Sequence, residues 1–303
     1  MKKKIFLIGY LLFTTLTFSQ SWIDVWQEST ISFGIIDSIK YNNNGKDSCR
    51  KYYRIIGSGA MFYVKVDTIV IPTIVTAKHI FSLPEENWSP HALNVRFSWD
   101  DDKTIFDYFG IQIPLVNGNE KLWFPHPDNN VDLACFPLIY PNIHVIDRKL
   151  SILPYSILAT QEDLFQGAKI FVLGYPASIG AEYWNKALLR EGIISWIAPK
   201  SDNKSKLLID CEVFPGNSGG PVFKVPTGIG RDGSFQVGGQ VKFIGIVSQR
   251  RFSETPVKIG QEDVTDAKGK KLYSLESIGI GVVEPAIRVR ELLDNMRMIL
   301  NRK

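Results

Sequence analysis

The stretch PGNSGGP at residues 215–221 decides how the rest of this chain is interpreted. Three glycines and two prolines enclose a single serine, Ser218, and this composition is typical of a tight turn. Such a turn exposes the serine hydroxyl and points successive backbone N–H groups into one small space, as the stabilisation of an oxyanion requires. We therefore predict a reactive hydroxyl at Ser218 and oxyanion donors at the backbone of Gly216, Asn217 and Ser218. A plain turn between two strands is the alternative.

A reactive serine needs a general base, and the positions of the histidines restrict the choice. All four histidines precede the serine in the chain: His79, His91, His126 and His144. The GxSxG turn of the α/β-hydrolase fold also matches residues 216–220, but that fold places its histidine after the serine, so the chain order excludes it. His79 is the best candidate, because it directly follows the strand-like run IVTAK at residues 74–78. A structural histidine is the alternative.

The base in turn needs an acceptor that fixes its tautomer and stabilises its protonated form. Asp132 is placed for this role near the start of a second apolar run, VDLACF at residues 131–136. An aspartate that only serves solubility or a turn at a strand end is the alternative. No pair of His or Cys residues has the spacing of a metal site, so we expect no metal and no cofactor.

Short apolar runs rich in Ile, Val, Phe and Tyr, separated by polar turns, recur along the 303 residues. With 24 Gly and 16 Pro, this pattern favours an all-β protein of barrels or sandwiches over alternating strands and helices. We place a boundary between two β units within residues 139–165, which predicts domains at residues 20–150 and 151–284. Apolar residues at spacings of three and four predict one helix, at residues 285–303. Polar composition predicts surface loops at residues 40–50, 84–91, 117–130, 199–206 and 252–271.

The N-terminus has the pattern of a secretory signal. Residues 1–19 combine three lysines with an apolar run at residues 5–12 and small residues before a cut at Gln20. The run is shorter than a membrane-spanning helix requires, and an uncleaved anchor is the alternative. Removal of three lysines and no acidic residue lowers the formal net charge from +4 to +1, which argues against a nucleic-acid partner. We expect an exported protein, periplasmic or secreted, without stable membrane insertion after cleavage.

The three cysteines do not form a disulfide framework. Their number is odd, and Cys135 and Cys211 lie in apolar, strand-like runs where buried free thiols are expected. Export permits a single bridge that leaves one thiol free, so that alternative stays open. Most of the stability must therefore come from a hydrophobic core.

Three segments resemble the trypsin-like (chymotrypsin-fold) serine peptidases. They are TAKH at residues 76–79, DLA at residues 132–134 and GNSGGP at residues 216–221, which resemble the His, Asp and Ser boxes of that family in the family's order. The run GSGA at residues 57–60 is similar to the opening of the HtrA/Deg-type bacterial peptidase domain, here expected without a PDZ domain.

The resemblance implies both a fold and a reaction. The fold is two six-stranded antiparallel β-barrels with a C-terminal α-helix, and the cleft between the barrels holds a triad of His79, Asp132 and Ser218. The reaction is hydrolysis of peptide bonds in polypeptide substrates by a serine endopeptidase, through an acyl-enzyme intermediate. A catalytically silent trypsin-fold binding protein and an enzyme that acts on non-peptide esters are the alternatives. The oligomeric state is left open.

The same resemblance indicates where substrate binds. The run GIVS at residues 245–248 resembles the strand that pairs with the substrate backbone, which predicts three substrate-binding residues: Val247, Ser248 and Gln249. Glu212, six residues before Ser218, holds the position that selects Arg or Lys at P1 in trypsin itself, unless its side chain points elsewhere. Asn217 stands where digestive relatives have Asp, so we expect no activation by a new N-terminal ammonium.

Overall fold

Strands dominate the computed structural model, which describes residues 21–43, 46–97, 110–139, 151–178, 186–202, 204–259, 262–266 and 268–302. The strands are β1 (Thr30–Asn43), β2 (Lys46–Val66), β3 (Ile69–Thr76), β4 (Ala92–Phe97), β5 (Ile111–Pro114), β6 (Val116–Asn117), β7 (Glu120–Lys121), β8 (Phe124–Pro125), β9 (Ala134–Pro137), β10 (Lys169–Gly174), β11 (Leu188–Trp196), β12 (Leu207–Asp210), β13 (Pro221–Lys224), β14 (Thr227–Ile229), β15 (Phe235–Val237), β16 (Lys242–Pro256), β17 (Lys258–Ile259), β18 (Glu262–Asp263) and β19 (Tyr273–Pro285). The α-helices are α1 (Trp22–Glu28), α2 (Lys78–Phe81) and α3 (Ala286–Leu300). Short 3-10 helices lie at Pro84–Glu86, Tyr155–Ile157, Gln161–Asp163 and Lys200–Asp202.

The second half of the chain forms a closed barrel. Its six strands follow one another in the order β10, β11, β12, β19, β16 and β13, and each neighbouring pair is antiparallel. The rings of Phe223 and Phe243 pack inside it edge to face, with 5.7 Å between their centroids. Closure leaves no free strand edge around this wall, so only strands that run beyond the barrel offer one.

The first half forms a curled sheet of seven strands, in the order β5, β4, β1, β2, β3, β9 and β8. All of its pairs are antiparallel, and a separate core cluster that includes Phe33, Phe81 and Phe136 packs within it. The expected closure into a six-stranded barrel is not seen among the described strands; residues 98–109 lie outside the description. The all-β prediction with a C-terminal helix is confirmed.

The two sheets share a core where they meet. One buried cluster draws residues from both, and Phe62 of β2 meets Phe243 of β16 edge to face at 5.0 Å. The connecting segment crosses this seam, because Leu153 bridges to Phe62 and Leu158 bridges to Phe243. This crossing lies within the region predicted as the domain boundary, of which residues 140–150 fall outside the described part.

Two long hairpins occupy places where the sequence predicted surface loops. β1 and β2 remain paired out to Asn43 and Lys46, across the predicted loop at residues 40–50. β16 and β19 remain paired out to Pro256, within the predicted loop at residues 252–271. These two loop predictions were wrong because an arm with both faces exposed lacks the alternation of apolar and polar residues that marks a half-buried strand.

Helices lie near both ends of the described chain. The predicted C-terminal helix is confirmed as α3, which buries one apolar face: Val289, Leu292, Leu293 and Met296. Helix α1 was not predicted, because its seven residues are too few to show a helical period. The hydroxyl of Ser21 caps it by accepting the N–H of Ile23 at 3.2 Å. The predicted signal at residues 1–19 lies outside the described part.

None of the described helices is both long enough and apolar enough to cross a membrane.

The three cysteines are free thiols. Cys135 and Cys211 are buried, as expected, and Cys49 is exposed. The Sγ of Cys135 on β9 lies 3.6 Å from the Sδ of Met296, so the buried face of α3 packs directly on the strand that follows Asp132.

Trp26 attaches α1 to the closed barrel, and this contact gives a test of the fold. Its side chain is buried, and its ring stacks on Phe223 with 4.1 Å between centroids and 1° between planes. We expect Trp26→Ala to lower the free energy of unfolding by about 3–5 kcal/mol, because it removes a large buried ring. Urea denaturation followed by circular dichroism measures this loss. The control is Trp22→Ala, whose side chain is 44% exposed; a loss in Trp26→Ala no larger than in this control would contradict the role of the buried ring.

Candidate active site

Two neighbouring strands bring His79 and Asp132 together. β3 ends at Thr76 and His79 follows in α2, while Asp132 lies two residues before β9, which pairs with β3. The Nδ1 of His79 is 2.7 Å from the Oδ2 of Asp132, and the backbone N–H of His79 donates to Oδ1 at 3.0 Å. With Nδ1–H donating to the carboxylate, Nε2 carries the lone pair that can accept a proton.

Further hydrogen bonds hold Asp132 in place. Its Oδ2 also accepts the hydroxyl of Ser248 at 2.8 Å, and its backbone carbonyl accepts the N–H of Lys78 at 3.2 Å. Its own N–H donates to the Oε1 of Glu284 at 3.1 Å. Burial by itself raises the pKa of Asp132, but the hydrogen bonds and charge of His79, with the bond from Ser248, outweigh burial and lower that pKa. Asp132 is therefore an oriented carboxylate anion at neutral pH.

The turn at residues 215–221 directs the N–H of Gly216 away from the rest of the chain. The carbonyl of Pro215 is fixed, because it accepts the N–H of Ala177 at 2.7 Å. In a trans peptide the N–H points opposite to the C=O, so the N–H of Gly216 faces the other side of the turn. No described residue accepts a hydrogen bond from it.

The same arrangement recurs two residues later. The carbonyl of Asn217 accepts the N–H of Gly220 at 2.8 Å, which directs the N–H of Ser218 to the opposite side, where no described residue accepts it. The N–H of Asn217 instead donates to the carbonyl of Phe214 at 3.0 Å. The predicted donors at Gly216 and Ser218 are thus available in this structure. The backbone N–H of Asn217, the third predicted donor, is not available in this structure, because it is already bonded within the turn.

Two positions in this turn require glycine. Gly216 and Gly219 have φ angles of +94° and +84°. A Cβ on Gly216 would lie 2.3 Å from the carbonyl oxygen of Tyr175, and a Cβ on Gly219 would lie 2.0 Å from that of Ser58. Any side chain at either position would therefore push the turn away from its neighbours.

Ser58 of β2 ties the turn to the first sheet. Its N–H donates to the carbonyl of Ser218 at 2.7 Å, and its hydroxyl donates to the carbonyl of Gly216 at 2.7 Å. The same hydroxyl accepts the N–H of Tyr175 at 2.9 Å, and the side chain is fully buried. Sequence reasoning used the GSG run only as part of a resemblance and assigned Ser58 no role.

Ser218 lies against the segment that carries His79. A Cβ on Gly57 would be 2.4 Å from the Cδ1 of Ile80 and 3.1 Å from the carbonyl oxygen of Ser218, so the two flank Gly57 closely. Both Ser218 and His79 are partly exposed. Among the described residues no hydrogen bond joins the Ser218 hydroxyl to the His79 ring, and such bonds are often long until substrate is bound.

β16 has an open edge beside the turn. Val247 donates its N–H to Gly220 at 2.9 Å and accepts the N–H of Gly219 at 2.7 Å. Beyond Val247, β16 is paired with β19 on one side only, so the other edge at residues 248–250 has no strand partner in the described part. Gln249 is exposed there, whereas the side chains of the two preceding residues are buried.

Glu212 lies at the surface with a cation beside it. Its carboxylate is 3.9 Å from the guanidinium of Arg190, which also lies 4.6 Å from the ring centroid of Phe214. The next residue, Val213, is buried, and a Cβ on Gly281 would lie 2.7 Å from its Cγ2. This region therefore combines an apolar wall with a carboxylate whose charge is already partly compensated.

The other histidines do not join His79. His126 is buried, and its Nε2 lies 3.4 Å from the Oε2 of Glu291 on α3. His91 is exposed, and His144 lies outside the described part.

Glu284 and Lys206 contact the site, and sequence reasoning missed both. Glu284 is 1% exposed, and its Oε1 is 3.0 Å from the Nζ of Lys206 as well as bonded to Asp132. The only sequence signal was a single carboxylate within the otherwise apolar run GVVEP at residues 281–285. Such a residue is ordinarily taken as a strand end that faces solvent.

The comparison with protein families agrees with this geometry. The sequence profile described as Trypsin-like peptidase domain matches residues 57–228, which include His79, Asp132 and Ser218. No curated protein matches the chain significantly. Because the matched region covers more than half of the chain, the chain belongs to the family of trypsin-like peptidase domains.

Proposed function

We propose that the protein is a serine endopeptidase that hydrolyses peptide bonds through an acyl-enzyme intermediate. Its family supports a hydrolase. One observation carries the finer assignment: the 2.7 Å contact between His79 and Asp132 lies beside a turn that presents Ser218 and two backbone N–H groups that no described residue accepts. These groups supply a base, an orienting acid, a nucleophile and oxyanion donors.

In the proposed acylation step, the Oγ of Ser218 attacks the scissile carbonyl carbon while the Nε2 of His79 takes the hydroxyl proton. Asp132 stabilises the imidazolium that forms. The C–N bond then breaks, and the proton on Nε2 passes to the leaving amine. The products are a free amine and an ester between the acyl group and Ser218.

Deacylation repeats these steps with water as the nucleophile. Water attacks the ester carbonyl while His79 takes its proton, and the C–O bond to Ser218 then breaks as that proton returns to Oγ. The N–H groups of Gly216 and Ser218 stabilise the oxyanion in both steps, each by about 3 kcal/mol.

The open edge of β16 supports a polypeptide as substrate. An extended peptide that adds to residues 248–250 would gain main-chain hydrogen bonds independent of its side chains. At the P1 side chain, Arg190 beside Glu212 weighs against a preference for Arg or Lys, because a basic side chain would compete with it for the carboxylate.

We also propose that the protein is exported. The pattern of residues 1–19 supports this, with its lysines, short apolar run and small residues before Gln20. Helix α1 begins at Trp22, so a cut before Gln20 leaves the packed side chain of Trp26 in the mature chain.

A catalytically silent binding protein is the second candidate, and the unformed bond between Ser218 and His79 is the observation that favours it. Reaction with a fluorophosphonate probe and cleavage of a peptide library separate the two. We expect wild-type protein to be labelled and to cut peptides, and Ser218→Ala and His79→Ala to lose both activities, because each removes a reacting group. Ser234→Ala, which removes an exposed hydroxyl in the same half of the chain, is the matched control.

Folded wild-type protein that is neither labelled nor active would support the binding protein instead. Labelling with turnover of esters but of no peptide would point to the ester-hydrolysing alternative.

Asp132→Asn tests the orienting carboxylate. We expect kcat to fall by about 10³–10⁴-fold with a folded protein, because the amide cannot hold Nδ1–H of His79 in the same way. The pKa of Asp132 is lower in the folded state than the usual pKa of Asp, so its negative charge stabilises the folded state at any pH above that usual value. This contribution is lost as the pH falls from the usual pKa through the lowered one. The kcat loss should therefore persist at every pH between about 5 and 9. A near wild-type rate anywhere in that range contradicts the role.

Ser58→Ala tests the support of the oxyanion donors. We expect a fall in kcat of about 10-fold or more with little change in KM, because the carbonyl of Gly216 loses its partner and the turn that holds the N–H groups of Gly216 and Ser218 is then fixed less firmly. The matched control is Ser32→Ala, an equally buried serine on β1 whose hydroxyl contacts Tyr53. Equal kcat values for the two variants, measured with one peptide substrate, would reduce Ser58 to a general contribution to stability.

A further inference from the structure

Glu284 is a buried carboxylate placed directly behind Asp132. It lies at the end of β19, next to α3, and only 1% of its surface is exposed. Its Oε1 accepts the backbone N–H of Asp132 at 3.1 Å, a contact between residues 152 positions apart. The bond reaches the backbone N–H of Asp132, so it holds the residue in place without competing for its carboxylate oxygens.

A carboxylate in this position needs a compensating charge, because an isolated buried charge is strongly disfavoured. Lys206 supplies it, with its Nζ 3.0 Å from the Oε1 of Glu284 and its side chain 34% exposed. The register of β12 with β19 explains the contact, since Leu207 pairs with Val283 and the residues beside them are therefore neighbours. One half of the ion pair is thus buried against Asp132, and the other half reaches water.

We propose that Glu284 is a positioning residue for the Asp132–His79 pair, and that Lys206 balances its charge so that the pair meets no net charge from behind. The part of this proposal that concerns kcat rests on the proposed peptidase function. A purely structural ion pair would only hold the barrel together, whereas this one also holds in place the residue whose carboxylate orients His79.

Other charges nearby are already engaged. The charged or titratable groups nearby include Lys78, His126, Asp128, Lys204, Arg288 and Glu291. Arg288 pairs with Asp128 at 3.4 Å and with Glu291 at 3.0 Å. Lys204 pairs with Glu291 at 2.5 Å, and Lys78 donates to a backbone carbonyl at 2.8 Å. The variants below leave all of these groups unchanged, so differences among the variants report on Glu284 and Lys206.

Two substitutions of Glu284 separate the hydrogen bond from the charge. Glu284→Gln keeps an oxygen that can accept the N–H of Asp132, and we expect kcat within about threefold of wild type at its best pH. Glu284→Met keeps the length of the side chain but accepts no such bond, and we expect kcat to fall by about 10-fold or more with KM little changed. Rescue by the glutamine variant is the result that distinguishes positioning from charge.

Substitutions of both partners test the charge balance through the acid limb of the pH profile of kcat/KM. Glu284→Gln leaves a net positive charge that opposes protonation of His79, so the limb should move to lower pH by about half a unit. Lys206→Met leaves a net negative charge and should move it to higher pH by a similar amount. The double variant restores neutrality, and its limb should return to that of wild type.

A matched control is the exposed pair of Lys169 and Glu191, whose Nζ and Oε2 are also 3.0 Å apart on β10 and β11. Lys169→Met and Glu191→Gln make the same changes of charge away from the site, and neither should move the limb. Equal shifts from this pair would show a general effect of net charge and overturn the inference.

An NMR titration of the ring C–H signals of His79, in the Ser218→Ala background, follows the same protonation without any turnover. If wild-type protein proves inactive, the proposed function fails, but this titration still tests whether the charges of Glu284 and Lys206 act on His79. Single variants that leave the titration unmoved, or move it in one common direction, overturn the charge role. Wild-type kcat in Glu284→Met overturns the positioning role; should that variant fail to fold, the other three variants decide.

Discussion

Ser58 is the contact on which the site depends, because it joins the serine turn of the barrel to the sheet that carries His79. Its backbone N–H binds Ser218, its hydroxyl binds Gly216, and its carbonyl accepts the hydroxyl of Thr76 at 2.6 Å. Thr76 ends the strand that leads to His79. A single residue of β2 therefore touches both the serine turn of the barrel and the strand end that carries the histidine. The relative position of these two groups follows from this shared contact.

The part of the site around Asp132 is organised by charged and polar groups where the two sheets meet. Asp132 is buried enough to disfavour its anion, and its pKa is nevertheless lowered because His79 and Ser248 donate to it. Glu284 places another carboxylate behind it, which Lys206 balances. The network draws residues from β16, β19 and the segments before β9 and β12, so it can form only after both sheets have met. The site is therefore complete only where the two sheets are packed together.

The fold was predictable from sequence wherever one face of an element is buried. Alternating apolar runs and turn residues predicted an all-β chain, and the apolar face of α3 predicted the C-terminal helix. Sequence patterns did not predict the elements in which buried and exposed residues do not alternate. The hairpin arm of β16 and β19 has both faces exposed, and α1 is seven residues long and held mainly by the ring of Trp26 against Phe223. The expected closure of the first sheet, which is not seen among the described strands, rested on the family resemblance rather than on any pattern in the residues.

The candidate site divides in the same way. Ser218 was recognisable because glycines are required around it, and the structure shows why, with carbonyl oxygens at 2.0 and 2.3 Å from the Cβ positions of Gly219 and Gly216. The N–H groups of Gly216 and Ser218 have no acceptor among the described residues, whereas that of Asn217 is bonded, and this difference depends on which carbonyls are bonded elsewhere. Glu284 shows the limit most clearly. A carboxylate in an apolar run signals a strand end as readily as a buried charge, and only the pairing of β19 with β12 brings Lys206 to it and makes its burial beside Asp132 stable.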